Sequence, residues 1–182
     1  MEALESLLSE RAFTDIKFAD IGNVAGVARN TLYNYAKDRN DLLDQAAAVA
    51  SKDLLATLAG RFDDAARPAE QLKLFIGGIL EWVSTGPYRH TVFANLSQSR
   101  VNGASPRQIE NSVELKISEQ ITKVVERGRA EGDFRSDLNT DIMVTLMSGA
   151  MKSAVDAAMT NPARLPTIRK ETTAFILTAI SN

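Results

Sequence analysis

Hydrophobic residues recur along this chain at spacings of three and four positions, which is the period of an amphipathic α-helix. Alternating runs of β-branched residues bounded by tight turns, which are typical of strands, do not occur. The pattern therefore predicts an all-α protein. Glycine, proline and aspartate separate the helical segments, which we place at about 4–8, 18–25, 29–35, 38–54, 68–84, 88–100, 106–131, 140–159 and 166–180.

Two of these helices begin at recognisable caps. Asp38 is a good N-cap, and Asp41 follows it three residues later. The segment that begins at Ser105 has Pro106 at the first helical position and Gln108 three residues after the cap. Its apolar stripe consists of Ile109, Val113, Ile117, Ile121 and Val124.

Composition limits the class of protein. A chain of 182 residues with 45% hydrophobic residues can form one large domain, or a small domain joined to a larger one. It has no cysteine, which excludes disulfides and thiolate chemistry. The first residues lack the basic and apolar regions of a signal peptide, and no apolar run approaches the roughly 20 residues of a membrane span. We therefore expect a cytoplasmic protein.

The segment from Ala25 to Leu43, AGVARNTLYNYAKDRNDLL, is rich in groups that can bond an anion or a base edge. One helix ends before Gly26 and a second begins near Arg29, so the sequence predicts a helix-turn-helix. This motif places its second helix in the major groove of DNA. Although the chain carries a net charge of −2, the window from Gly26 to Asn40 has three basic residues and one acidic residue.

The polar residues of this segment fall into two predicted classes. Side chains on the leading part of the second helix are candidates for base contacts, because arginine pairs with guanine and asparagine with adenine; these are Arg29, Asn30, Thr31 and Asn34. Residues further along are candidates for phosphate contacts, namely Tyr33, Tyr35, Lys37 and Arg39, with Lys17 at the entry to the preceding helix as a weaker one.

The stretch FADIGNVAGVARNTLYNYAKDRNDLL resembles the DNA-binding segment of the TetR family of transcriptional repressors. That family has isoleucine-alanine-x-x-alanine-glycine-valine before threonine-leucine-tyrosine-x-tyrosine or histidine, followed by a basic residue and a leucine. The stretch GRAEGDFRSDL, from Gly128 to Leu138, is also of a kind often seen before the last two helices of this family. The matching positions of the first motif are Ile21, Ala25, Gly26, Val27, Thr31, Leu32, Tyr33, Tyr35, Arg39 and Leu42.

The resemblance implies a helix-turn-helix DNA-binding domain of three helices at residues 1–45 and a larger helical domain at 46–182 for effector binding and dimerisation. It implies a homodimer formed through the last two helices, a near-palindromic double-stranded operator, and release by a small-molecule effector. We expect a repressor. Small residues in the penultimate helix suit close helix approach: Gly149, Ala150, Ala154, Ala157 and Ala158. The methionine stripe of Met143, Met147 and Met151 fits a dimer bundle and an intramolecular core equally well.

Candidates for lining the effector pocket are chosen by position only: Phe75, Trp82, Tyr88, His90, Phe93 and Leu146. Their mixed aromatic and aliphatic character indicates a small, partly apolar effector. Each of them is also an ordinary core position.

Three positions depart from the family pattern. Ala36 stands where an aromatic residue is usual, Gly22 replaces an alanine, and Lys17 stands where threonine often caps the second helix. The first two departures are expected to loosen the packing of the DNA-binding domain, because they remove buried area.

Two other classes of protein were weighed. A helical enzyme is disfavoured because the single histidine, His90, has no metal-binding spacing and no GxSxG elbow occurs. We therefore expect no catalytic activity, metal or cofactor. A helical interaction module that does not bind DNA is disfavoured by the focused positive charge.

Overall fold

The computed structural model describes residues 2–59, 61, 66–86, 89 and 113–182. In these ranges the chain forms eight α-helices and two short 3₁₀ turns, at Phe13–Asp15 and Pro162–Arg164. The one β-bridge there joins Phe134 to Ser181. The α-helices are α1 (Glu2–Glu10), α2 (Phe18–Ala25), α3 (Arg29–Tyr33), α4 (Arg39–Ala59), α5 (Pro68–Ser84), α6 (Val113–Ala130), α7 (Thr140–Thr160) and α8 (Leu165–Ile180).

The first hydrophobic core joins α1, α2, α3 and the beginning of α4. Apolar residues at helical spacing bury one side of each short helix, so these segments stabilise one another rather than standing alone. Ile16, in the turn before α2, is completely buried. The core consists of Leu4, Leu7, Leu8, Ile16, Ile21, Leu32, Ala36, Leu42, Leu43 and Ala46.

The second core begins at the next residue, Ala47, and joins the rest of α4 to α5, α6, α7 and α8. Helix α5 lies at its centre, because it packs against α4, α6, α7 and α8. All three methionines of the predicted stripe, Met143, Met147 and Met151, are buried in this core. Of the two interpretations of that stripe, the structure confirms the intramolecular one.

The GRAEGDFRSDL stretch forms a compact connection between α6 and α7. The ring of Phe134 lies so close to Gly128 that an added Cβ there would be 2.2 Å from the phenylalanine Cδ2 atom. Any larger residue at Gly128 would therefore displace the buried ring. The N–H of Arg135 donates to the carbonyl of Ile180 at 2.8 Å, which connects this turn to the end of α8.

A polar cluster connects α4 to the end of α5. The indole Nε1 of Trp82 donates to the Asp53 carboxylate at 2.7 Å, and Arg89 also donates to that carboxylate at 3.2 Å. The Arg89 guanidinium lies 4.9 Å from the centre of the Trp82 ring. Trp82 is thus fixed in the core with its polar atom satisfied.

The helices predicted from periodicity agree with the structure over most of the described chain. The helix at 68–84 is confirmed, and the last two helices begin and end within one residue of their predicted bounds. The third helix is shorter than expected, because it ends at Tyr33 rather than Tyr35. The predicted helix at 88–100 and the start signal at Ser105, Pro106 and Gln108 lie outside the described residues. No helix in the described ranges is both long and apolar enough to cross a bilayer.

Candidate nucleic-acid interface

Helix α2 begins without a side-chain acceptor at its N-cap, Lys17, and the next turn supplies one. The Asp20 carboxylate accepts a hydrogen bond from the backbone N–H of Lys17 at 2.9 Å. Arg11 lies 3.7 Å from the same carboxylate. An acidic group therefore already occupies the start of α2, while the Lys17 side chain is exposed to solvent.

The turn between α2 and α3 depends on one glycine. Gly26 adopts φ 67° and ψ 26°, the left-handed conformation that glycine adopts most easily. The next N–H, that of Val27, donates to the carbonyl of Gly22 at 3.0 Å, which closes the end of α2. Ala28 is extended and starts α3. This geometry confirms the predicted helix-turn-helix.

Helix α3 is packed against the first core by one buried side chain, that of Leu32. Leu32 is 5% exposed and faces Gly22, where an added Cβ would lie 3.5 Å from the leucine Cδ2 atom. The Tyr33 ring packs against Phe18 with their centres 5.0 Å apart. Arg29 donates to the Tyr33 hydroxyl at 3.4 Å, and its guanidinium lies 5.8 Å from the tyrosine ring.

Most other side chains of α3 and of the residues just after it are exposed to solvent, whereas Ala36 is buried in the first core. One helical turn and its exit thus present a set of exposed donors and acceptors above a buried support. Tyr33 and Tyr35 are 47% and 68% exposed although both are large aromatics. The other exposed side chains of this set are Arg29, Asn30, Thr31, Asn34 and Lys37.

The start of α4 fixes the exit from α3. Asp38 accepts hydrogen bonds from the N–H groups of Asn40 and Asp41, at 2.8 and 3.0 Å, so it caps the helix as expected. The Asp41 carboxylate accepts from the backbone N–H of Lys37 at 2.8 Å. Gln45 donates to the carbonyl of Tyr35 at 2.9 Å.

Arg39 differs from its sequence-based expectation. The Nη1 atom of this residue donates to the backbone carbonyls of Phe13, Thr14 and Ile16, at 3.2, 3.0 and 2.8 Å. Its guanidinium also lies 5.0 Å from the centre of the Phe13 ring. The side chain is thus directed inward, toward the turn before α2, rather than presented beside Lys37 as a phosphate contact.

A second exposed surface lies on α7 and α8. Ile142 and Leu146 on α7 and Phe175 on α8 are 62%, 68% and 66% exposed. An open groove of about 410 Å³ lies beside them, between the two helices. Its lining combines small, apolar and charged residues: Ala150, Ser153, Ala154, Ala157, Arg164, Ile168, Glu171, Thr172 and Phe175.

The predicted effector residues do not come together among the described residues. Phe75 and Trp82 are both 4% exposed and belong to the second core. Leu146 lies on the exposed α7 surface instead. Tyr88, His90 and Phe93 lie outside the described residues.

Sequence reasoning missed Phe18 and Gln45, which support Tyr33 and Tyr35, and it missed the exposed Ile142 and Phe175. An aromatic residue near the start of a helix, such as Phe18, is just as typical of an ordinary core position as of a support for the recognition helix. An apolar residue that faces a partner has the same helical spacing as one that faces its own core.

Two helices joined by a glycine turn, with an exposed polar second helix on a buried leucine, define a helix-turn-helix protein. Comparison with protein-family models gives no match, and comparison with curated proteins gives none either. Solved structures do match, over nearly the whole chain. Their shared architecture is that of TetR-family transcriptional regulators, and this chain has that fold.

Three of these structures illustrate the similarity. The ketosteroid transcriptional regulator KstR2 of Mycobacterium tuberculosis is 18% identical with a TM-score of 0.76, and the match covers 100% of this chain and 92% of that one. The fatty acid degradation regulator FadR from Bacillus halodurans is 16% identical with a TM-score of 0.77, covering 97% and 91%. The TetR-family regulator PfmR from Thermus thermophilus is 18% identical with a TM-score of 0.76, covering 97% and 96%.

Proposed function

We propose that this chain is a TetR-type transcriptional regulator that binds DNA through α2 and α3 and acts as a repressor. The observation that carries the proposal is the exposed polar face of α3, supported from below by Leu32 and from the side by Phe18. The fold shared with transcriptional regulators supports it. A five-residue helix gains little stability by itself, so its fixed position depends on these contacts.

Within this proposal the α3 side chains divide by reach. Arg29, Asn30, Thr31 and Asn34 contact base edges in the major groove, where arginine and asparagine can each make two hydrogen bonds to one base. Tyr33, Tyr35, Lys37 and Lys17 contact the phosphate backbone. Such contacts fix the orientation of the protein on the duplex without reading its sequence.

The proposed active form is a homodimer in which the exposed face of α7 and α8 meets its copy. Ile142, Leu146, Gly149 and Ser153 follow one another at spacings of four, three and four, so they share one side of α7. Exposed apolar residues on adjacent helices are typical of a buried interface. A two-fold axis between the subunits would present two copies of α3 to major grooves about 34–36 Å apart.

The division of the two cores supports a DNA-binding domain at 1–45 and an effector-binding and dimerisation domain at 46–182. One core ends at Ala46 and the other begins at Ala47, within the same helix. We propose that a small, partly apolar effector binds in the larger domain and favours a dimer geometry that no longer matches the groove spacing. Such release requires the effector to bind the two geometries with different affinity.

Selection of bound fragments from random double-stranded DNA tests the whole proposal. The expected product is a near-palindrome whose half-sites lie about one helical turn apart or somewhat more. If each subunit contributes Lys17 and Lys37, the logarithm of affinity should fall against the logarithm of salt concentration with a slope of about −3 to −4. Failure to enrich any sequence at low salt would instead favour an interaction module that does not bind DNA, and turnover of a small molecule would favour an enzyme.

A further inference from the structure

We infer that Arg39 is a positioning residue for the recognition helix, one that connects α4 to the turn before α2 and thereby sets how α3 meets DNA. This role rests on the proposed DNA-binding function. It differs from a phosphate contact, because in the folded protein the guanidinium is bonded to the chain itself.

Arg39 donates hydrogen bonds to three backbone carbonyls at once. One guanidinium nitrogen lies within 3.2 Å of the carbonyl oxygens of Phe13, Thr14 and Ile16, and its two hydrogens are shared among these three acceptors. The carbonyls belong to a 3₁₀ turn and the residue after it. A turn this short satisfies few of its own acceptors, so a donor from elsewhere in the chain stabilises its shape.

The chemistry of the side chain suits this position. The guanidinium is planar, remains charged and stacks on aromatic faces, whereas lysine is a compact point charge on a flexible stem. Arg39 uses both properties, because it bonds the carbonyls while lying over the Phe13 ring. Lysine would keep the charge but lose the stacked, planar geometry.

The Arg39 contact joins two points of the chain that lie on either side of the helix-turn-helix. Arg39 and Ile16 are 23 residues apart, and the segment between them contains all of α2, the Gly26 turn and α3. The helix-turn-helix is therefore a loop whose two ends are joined by one side chain. Near the same end, Gln45 bonds the carbonyl of Tyr35, so α4 holds the exit of α3 at a second point.

The structure predicts that loss of Arg39 changes the orientation of α3 rather than the charge presented to DNA. A phosphate contact and a positioning contact then give different results. Removing a phosphate contact reduces the salt slope by about 0.9 per subunit and weakens binding to all sequences alike. Removing a positioning contact leaves the slope unchanged and reduces the preference for the selected operator over unrelated DNA.

The test compares Arg39→Ala, Arg39→Lys and the matched control Lys37→Ala by fluorescence anisotropy over a range of salt concentrations. Both Arg39 variants are expected to lose at least about tenfold in operator affinity, with the slope and the affinity for unrelated DNA retained. Lys37→Ala is expected to reduce the slope. Wild-type affinity in Arg39→Lys together with a reduced slope in Arg39→Ala would overturn the proposal, as would wild-type binding by both.

Hydrogen exchange supplies a readout that does not depend on DNA. In both Arg39 variants the amides of 13–20 and 29–36 should exchange faster, while those of α5, α7 and α8 keep their protection. The fluorescence of Trp82, the only tryptophan, reports separately that the second core remains folded. Unchanged exchange in both segments would overturn the positioning role, whatever the DNA selection shows. Failure of the wild-type protein to enrich any DNA sequence would instead refute the proposed function and leave the positioning role to be judged by exchange.

Discussion

At the scale of single residues, the proposed interface depends on which side chains are already engaged within the protein. Tyr33 contacts Phe18 and Arg29, so its ring is oriented before any partner arrives. Asn30, which precedes this tyrosine in the sequence, and Lys37, which follows it, are both exposed. Ordering of an interface side chain in the free protein reduces the entropy lost on binding.

Asn30→Ala is predicted to relax the preference for one base pair of each half-site by about 1–3 kcal/mol, because asparagine can make two hydrogen bonds to adenine. Affinities for the selected operator and its single-base variants, measured by anisotropy, check this. Lys37→Ala serves as the control, since it should weaken all of these sequences equally. Equal weakening by Asn30→Ala would place Asn30 among the backbone contacts instead.

Asp44 is predicted to make stability depend on pH in an unusual direction. Partial burial raises the pKa of Asp44 above its usual range, and the carboxylates of Asp41 and Asp38 raise it further. Its contribution to stability is thus present below the unfolded pKa and is lost as pH rises through the folded pKa. As pH rises through this interval, Asp44→Asn should therefore become more stable relative to wild type. Chemical denaturation at several pH values between about pH 3 and pH 7 measures this difference.

The control for this experiment has the opposite sign. A hydrogen bond from Arg135 lowers the pKa of Asp137, so that group contributes stability above its unfolded pKa and loses it as pH falls through the folded pKa. Asp137→Asn should lose stability relative to wild type over the same rise in pH. If the two variants show the same pH dependence, the assignment of the Asp44 effect to burial is wrong.

At the scale of elements, the turn between α2 and α3 shows how two glycines four residues apart have different roles. Gly26 has a positive φ, which a Cβ makes costly. Gly22 is buried inside α2 with ordinary helical geometry, and an added Cβ would lie at contact distances of 3.4 Å from the Val27 carbonyl and 3.5 Å from Leu32. There is therefore room at Gly22 for the methyl group of the alanine that the TetR family usually has at this position.

Replacing the two glycines by alanine should consequently have opposite effects on stability. Gly26→Ala is predicted to lower the free energy of unfolding by about 1–2 kcal/mol, because alanine would adopt a left-handed conformation. Gly22→Ala is predicted to raise it by about 0.4–1 kcal/mol through helix propensity and reduced freedom of the unfolded chain. Denaturant titration checks both, and destabilisation by Gly22→Ala would show that α2 and α3 cannot accommodate the methyl group.

At the scale of the whole molecule, α4 belongs to both cores and so connects the proposed DNA-binding unit to the helices that carry the exposed α7 and α8 surface. The polar cluster of Asp53, Trp82 and Arg89 fixes the second half of α4 against the end of α5. A change in the larger core can therefore reach α3 through a helix that is fixed in both.

Leu146→Glu and Phe175→Glu are predicted to convert the proposed homodimer into a monomer, because each would bury a charge at the proposed interface. Both residues are exposed within one subunit, so stability of the monomer should change by less than about 0.5 kcal/mol. Analytical ultracentrifugation measures the state of association. Operator affinity should fall by about 100-fold or more, since the two half-sites would no longer be bound by linked subunits.

Val49→Glu is the matched control, because Val49 is 57% exposed but lies on α4, away from this surface. It should remain a dimer and bind DNA normally. A dimer in the Leu146 and Phe175 variants, or a monomer in the Val49 variant, would contradict the proposed interface.

The sequence alone determined the features that depend on local patterns. The spacing of apolar residues predicted the all-α class and the helix at 68–84, and Gly26 predicted the turn, because positive φ and helical period are properties of residues close together in the chain. Asp38 predicted the start of α4 for the same reason.

Only the tertiary structure decided matters that depend on distant residues. Arg39 has the sequence context of a phosphate contact, yet it bonds carbonyls more than 20 positions earlier. Met143 and Leu146 both lie on the apolar α7, but the first is buried and the second is exposed. Helical period shows that a face is apolar, whereas which neighbour covers it depends on how the helices pack in space.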